Sequence, residues 1–524
     1  MRMSACGGTV KRWVTAHSVT GPPTFSERVS SVTSSPATAA APASPVWPLP
    51  RIIQGGMGIG VSNWRLANAV SRLGQLGVVS GTVIDTVMVR RLQDGDPGGH
   101  VRRALAHFPI PGVAEELVKK YFLPEGRGPD SPYQLLPMYR QTVSAARQRI
   151  TVAASFVETW LAREGHDNPV GMNLLTKVQM PNLPTLYGAM LAGVACVIMG
   201  AGIPREIPGA LDALATHDKA QLKFDVDGLG KDETEWLTFD PADVWPDRQV
   251  PTEPLLRPAF FPIVSAVSLA MTLQRKSTGR VDGFIVEGPT AGGHNAPPRG
   301  EMKLDELGQP IYGERDVVDF GKMKELGLPF WIAGGVGTPE GLCESLEQGA
   351  AGIQVGTMFA FCDESGLAPE IKREVIEGTV DGTAWVRTDP RASPTGYPFK
   401  VVQLAGHEQD YQRRERCCDL GYLREAYRME NGRINYKCAA EPVGTWTAKG
   451  FDEAETVGRK CLCNGLMADI GLPQLREDNT VEPSLVTSGD DIQSIVKLAK
   501  DGRYSAGDVL EWLQSNVPAT VGVA

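Results

Sequence analysis

Between residues 51 and 377 the chain repeats one pattern, a short apolar run followed by a longer stretch of helical spacing. The apolar runs cover residues 51–54, 76–79, 169–175, 195–199, 260–265, 283–286, 330–333 and 352–355. Runs this short, nearly all apolar and bounded by glycine, read as buried parallel strands. In residues 64–73 the apolar positions Leu66, Ala69, Val70 and Leu73 fall three and four apart, which puts them on one face of a helix. Helices are likewise predicted over residues 145–162, 185–191, 267–275, 317–326, 339–348 and 368–377. Eight strand-then-helix units in series predict an α/β fold, a (β/α)8 TIM barrel over residues 49–380.

Three stretches interrupt or flank that rhythm. Residues 97–140 hold Pro109, Pro111, Pro124, Pro129, Pro132 and Pro137, and read as an elaborated loop over the barrel mouth or an oligomer contact. Residues 217–254 are polar, with irregularly spaced acids, and read as a solvated surface excursion. Residues 1–48 are rich in Ser, Thr, Ala and Pro and lack the apolar periodicity of a core, so a disordered tail is expected, with a transit peptide the lesser reading. Residues 381–524 form a C-terminal extension expected to be mainly helical, with an extended crossing at 388–402 and helices near 420–430, 453–466 and 490–498.

The strand ends carry the candidate chemistry. The first strand stops at Gly55, Gly56, Met57 and Gly58, the third at Asn173, and the sixth runs through Glu287 into Gly292, Gly293 and His294. The seventh stops at Gly334 and Gly335, and the eighth passes Gln354 to reach Gly356 and Thr357. Functional groups of such barrels lie at the carboxyl ends of the strands, and the loops after strands seven and eight often form a phosphate site from backbone N–H groups. Glycine at these ends leaves room for a flat ligand and tolerates positive φ. The pocket is therefore shaped for a phosphorylated planar cofactor, for which flavin mononucleotide (FMN) fits, and His294 is the candidate for proton chemistry.

Composition narrows the setting. The 524 residues are 42% hydrophobic and 22% charged, with a net charge of -9, which gives no reason to expect nucleic acid or an anionic membrane as partner. Nine cysteines in a chain this long do not read as a disulfide framework, so a reducing cytoplasm is the expected location. Five of them, Cys417, Cys418, Cys438, Cys461 and Cys463, fall close together without a CxxC pair. Buried thiols are expected there rather than a metal site.

The motifs QGGMG (54–58), GMNLL (171–175), VEGPTAGGH (286–294), WIAGGV (331–336) and IQVGTMF (353–359) resemble the nitronate monooxygenase family, itself similar to the FMN-dependent enoyl-acyl carrier protein reductase II. The resemblance implies that Asn173, Gly292, Gly335, Gln354, Gly356 and Thr357 bind FMN and that His294 is the family histidine. Glu287 stands where the monooxygenases usually have Gln, and looks more like the reductase branch. The monooxygenase reading takes a nitronate or nitroalkane and O2 to a carbonyl compound and nitrite. The alternative takes NAD(P)H and reduces an enoyl thioester, and a third reading is a scaffold without redox activity. The C-terminal extension is expected to cover the active site or to form a homodimer contact.

Overall fold

The computed structural model describes residues 47–406, 414–476, 479–499 and 502–516. The expected tail at 1–48 lies outside these residues except for Trp47 and Pro48. Eight parallel strands form the central sheet: β1 (Ile52–Gln54), β2 (Gly77–Ser80), β3 (Val170–Leu175), β4 (Cys196–Gly200), β5 (Ala259–Val264), β6 (Phe284–Glu287), β7 (Phe330–Ala333) and β8 (Gly352–Val355). From β2 to β8 each strand pairs with its sequence neighbour, and β1 pairs with β8. A parallel bridge between Ile53 and Leu76 all but closes the ring. Because β1 has only three residues, the Gln54 side chain extends the seam, its Oε1 accepting from Val78 N at 3.0 Å. The fold is the α/β barrel that the strand spacing predicts.

The helices alternate with the strands: α1 (Trp64–Arg72), α2 (Ala145–Arg163), α3 (Asn182–Leu191), α4 (Ile207–Ala215), α5 (Val267–Lys276), α6 (Phe320–Glu325), α7 (Pro339–Glu347) and α8 (Pro369–Val380). Inward side chains Ile53, Val78, Ile198, Phe261, Ile285 and Trp331 fill the barrel. Trp47 packs on Phe261 at 6.3 Å between ring centroids, and the Trp331 indole donates to Pro50 O at 2.8 Å. Trp47 thus packs into the barrel floor, where an indole contributes a large apolar area. Among the described residues no helix is long and apolar enough to cross a membrane.

The additions are more structured than their composition suggests. Within 97–140 lie the helices His100–Leu105 and Val113–Tyr121. The excursion at 217–254 contains an antiparallel hairpin, Ala220–Phe224 with Glu235–Phe239, whose buried Ala220, Leu222 and Phe224 alternate with exposed residues. The extension holds the helices Val443–Ala448, Leu462–Asp469 and Ala506–Gln514, with 3-10 turns at Glu453–Thr456 and Asp490–Lys497. Two expectations are corrected there. The segment expected to be extended at 388–402 is a hairpin, Trp385–Asp389 against Phe399–Gln403, turning through Gly396 at φ +79°. The helix expected near 420–430 is instead a turn and a strand, Glu425–Arg428, paired with Ile434–Lys437 on one side and Val226–Asp227 on the other. Ala426 is buried while Glu425 is exposed, so cross-strand pairing overrides local helical spacing.

Candidate functional site

All fourteen residues singled out at the strand ends line one cavity of about 210 Å³. After β1 the chain turns through Gly55–Gly58, and the turn is held from within: Ser62 Oγ accepts from Met57 N at 2.8 Å and donates to Gly55 O at 2.8 Å. Gly56 faces β3, where a Cβ would lie 2.0 Å from Asn173 Cβ. At Gly292 a Cβ would meet Gly489 N at 2.9 Å. These two glycines are therefore required by chain packing, a reason beyond the room for a flat ligand and the positive φ expected of such turns. Gly356 is the opposite case, since a Cβ there would come no nearer than 3.8 Å to Met57 Sδ.

At the ends of β7 and β8 the backbone is arranged for polar contact. Gly334 and Gly335 take φ of +91° and +71°, a region open mainly to glycine. Gln354 is held in β8 beside Ala333 of β7, and its Oε1 is buried without a hydrogen-bond partner. An unmet buried acceptor is costly, and one facing a cavity fits a ligand that donates to it.

His294 and Glu287 supply the titratable groups. The peptide around His294 is clamped by the second strand of the 385–403 hairpin, with Lys400 N donating to Gly293 O at 2.9 Å and Asn295 N to Pro398 O at 2.9 Å. The imidazole meets Phe399 edge-on at 4.9 Å and its Nε2 lies 2.7 Å from Ser393 Oγ. Burial, followed by the nearby Lys177 charge, lowers its pKa to about 4, so the ring is neutral at pH 7. Burial pushes Glu287 the other way, up to about 8, so this carboxyl is protonated at the same pH.

One wall of the cavity comes from the C-terminal extension. Thr357 Oγ1 donates to Asp491 Oδ1 at 2.6 Å and accepts from Gly489 N at 3.1 Å. Gly293 N donates to Thr487 Oγ1 at 3.0 Å. Tyr422, Cys463 and Asp469 also face the cavity, and burial pushes the Asp469 carboxyl up to about 8. The expectation that the extension covers the active site or forms a homodimer contact named none of these residues. The only local signal was the turn-forming Ser488–Asp490 triplet, with nothing to tie it to a strand end 130 residues earlier.

The expected cysteine cluster is partly assembled. Cys418, Cys438, Cys461 and Cys463 line one small cavity, with Cys417 outside it, and burial pushes the Cys418 thiol up to about 12 and Cys461 to about 11. Thiols held protonated are poor ligands. Among the described residues no group of three or more His, Cys, Asp or Glu side chains is disposed to hold a metal ion.

Residues 244–422, which include β5 to β8 and His294, match the family model described as nitronate monooxygenase. Among curated proteins, the chain is 27% identical over 149 residues to an octahydroindene-carboxyl-CoA dehydrogenase of Mycobacterium tuberculosis, covering 28% of this chain and 37% of that protein. It is 32% identical over 117 residues to a probable nitronate monooxygenase of Staphylococcus saprophyticus, covering 22% of this chain and 31% of that protein. The match thus spans about a third of the length of these relatives. Solved structures similar to it include FabK from Thermotoga maritima, at TM-score 0.44 and 15% identity over 89% of this chain and 92% of that one. Another is nitroalkane oxidase from Streptomyces ansochromogenes, at TM-score 0.42 and 14% identity over 90% and 96%.

Proposed function

We propose that this chain is an FMN-dependent oxidoreductase of the nitronate monooxygenase type that oxidises alkyl nitronates with O2 to carbonyl compounds and nitrite. The observation that carries the reading is the convergence of the fourteen strand-end residues on one cavity, a neutral histidine among them. The residues fit FMN: the Gln354 acceptor is unmet, the Gly356 side of the cavity is open, and Gly334, Gly335 and Thr357 offer polar backbone for a phosphate. When bound, FMN would supply the electron acceptor and the route to O2.

The protein's own groups then favour an anionic substrate. A histidine whose pKa lies near 4 is a weak base, so a nitronate, which has already lost its carbon-bound proton, suits it better than a neutral nitroalkane. Lys177, close enough to depress His294, attracts that anion. His294 Nε2 lies against Ser393 Oγ. With the proton on Nε2, Nδ1 is the nitrogen free to accept one.

Glu287 favours a second reading, reduction of an enoyl thioester with electrons from NAD(P)H. A carboxyl kept protonated to about pH 8 can donate a hydrogen bond or a proton to a thioester substrate.

The test is anaerobic reduction of the purified protein followed at the flavin absorbance near ~450 nm. Bleaching by a nitronate but not by NADH or NADPH is the expected result. Bleaching by a nicotinamide selects the reductase, and a protein without flavin overturns both.

A further inference from the structure

The end of the cavity that offers backbone to a phosphate already contains a carboxyl group. Asp491, from the C-terminal extension, lines the cavity together with Gly334, Gly335, Gly337, Gly356 and Thr357. Its Oδ1 accepts from Thr357 Oγ1 at 2.6 Å. A Cβ at Gly337 would come 3.1 Å from its Oδ2. One carboxyl oxygen therefore lies against the loop after β8 and the other against the loop after β7. The segment is seated closely, since a Cβ at Gly489 would meet Asp491 Oδ1 at 2.7 Å and Thr357 Oγ1 at 2.8 Å.

Thr357 cannot serve both this carboxylate and a phosphate. A hydroxyl has one proton to give; here it goes to Asp491, while Gly489 N donates to the same oxygen at 3.1 Å. With Asp491 ionised, a phosphate at this end meets a hydroxyl without a free proton and a second negative charge. Two anionic groups held in contact share a proton rather than both ionise. The surrounding charges do not relieve this. Asp490 and Lys400 both act on Asp491, but they pair with each other at 2.7 Å. Tyr504 faces it as a neutral phenol, its pKa raised by burial. Burial also raises the Asp491 carboxyl above its ordinary range, against the hydrogen bond from Thr357.

We propose that Asp491 binds the phosphate of FMN through a shared proton, so that the protein takes up its cofactor together with one hydrogen ion. The inference rests on FMN being the cofactor. A phosphate ester carries its second negative charge above about pH 6, so in weakly alkaline solution neither partner brings the proton and the solvent supplies it. Cofactor affinity then falls as pH rises, by about tenfold per pH unit for one proton taken up.

Calorimetric titration of the flavin-stripped full chain with FMN at pH 8, in two buffers of different ionisation enthalpy, counts that proton. The parent protein is expected to take up about one per FMN bound. Riboflavin, which lacks the phosphate, is expected to bind without the uptake, which separates Asp491 from Glu287 and Asp469 in the same cavity. Asp491→Asn keeps an oxygen to accept from Thr357. It is expected to take up no proton and to bind FMN about tenfold or more tighter at pH 8, with circular dichroism confirming the fold. No uptake by a parent that binds FMN, equal uptake with riboflavin, or uptake that survives in Asp491→Asn would overturn the shared proton and leave the cofactor standing. A chain that binds neither flavin would overturn both.

Discussion

The Tyr422 hydroxyl donates to Asp85 Oδ1 at 2.5 Å, and Arg147 Nη1 lies 2.7 Å from Asp85 Oδ2. All three side chains are buried. Asp85 and Arg147 belong to the barrel's helical layer, on Ile84–Gln93 and α2, whereas Tyr422 comes from the extension and also faces the cavity. The contact fastens the C-terminal wall to the barrel at the candidate site.

Tyr422→Phe removes the hydrogen bond to the buried Asp85 carboxylate together with those the hydroxyl makes to Thr86 Oγ1 and Arg147 Nη2, and should cost at least about 1.5–3 kcal/mol. Asp85 is held below the ordinary carboxylate range; burial opposes this, and Arg147 with the hydrogen bonds from Tyr422 and Thr151 outweighs it. Its contribution is present above the unfolded pKa and is lost as pH falls through the folded one. Denaturant unfolding of both proteins at pH 7 measures the cost. A variant as stable as the parent would mean that the contact does not hold the wall.

Glu287 and Asp469 act in the opposite sense. Both carboxyls are raised to about 8 by burial, so the fold favours their neutral forms. That contribution is complete below the ordinary carboxyl value of ~4 and is lost as pH rises toward 8. The cofactor-free protein should melt at a higher temperature at pH 5 than at pH 8.5, with the difference reduced in Glu287→Gln. Identical melting at both values would contradict the buried, protonated acids.

His294→Ala should retain flavin. Turnover of neutral nitroalkanes should fall by about a hundredfold, within the range for a positioned acid–base group, with a smaller loss on preformed nitronates. Equal losses on the two substrates would count against a proton-accepting role. Ser393→Ala, which frees Nε2, should produce a milder version of the same pattern.

Two glycine variants separate packing from cofactor binding. Gly356→Val projects methyl groups toward the cavity from a position with φ of -104°, open to any residue. It should give a folded, colourless protein. Gly56→Val drives a Cβ into Asn173 and should impair folding itself. Circular dichroism and flavin absorbance read the two effects apart, and a fully yellow Gly356→Val protein would remove Gly356 from the cofactor site.

Much of the barrel was legible because its signals are local. A short apolar run, a glycine stop and a helical stripe lie within about thirty residues, and parallel strands buried on both faces need little else to be recognised. The extension defeated the same reasoning at residues 420–430. Glu425–Arg428 is a strand only because Ile434–Lys437 and Val226–Asp227 lie beside it, and one of those partners is some 200 residues away.

The sequence by itself determined the eight strands, their order and the glycine-rich ends that meet at one mouth, since backbone preference and periodicity act between near neighbours. Tertiary structure alone decided how that mouth is closed and charged. Residues 487–491 reach Thr357 and Gly293 across more than a hundred positions, Tyr422 finds Asp85, and four cysteines gather around one small space. The protonation of His294 and Glu287 follows from the same source. Desolvation depends on everything packed around a group, which no stretch of its own sequence contains.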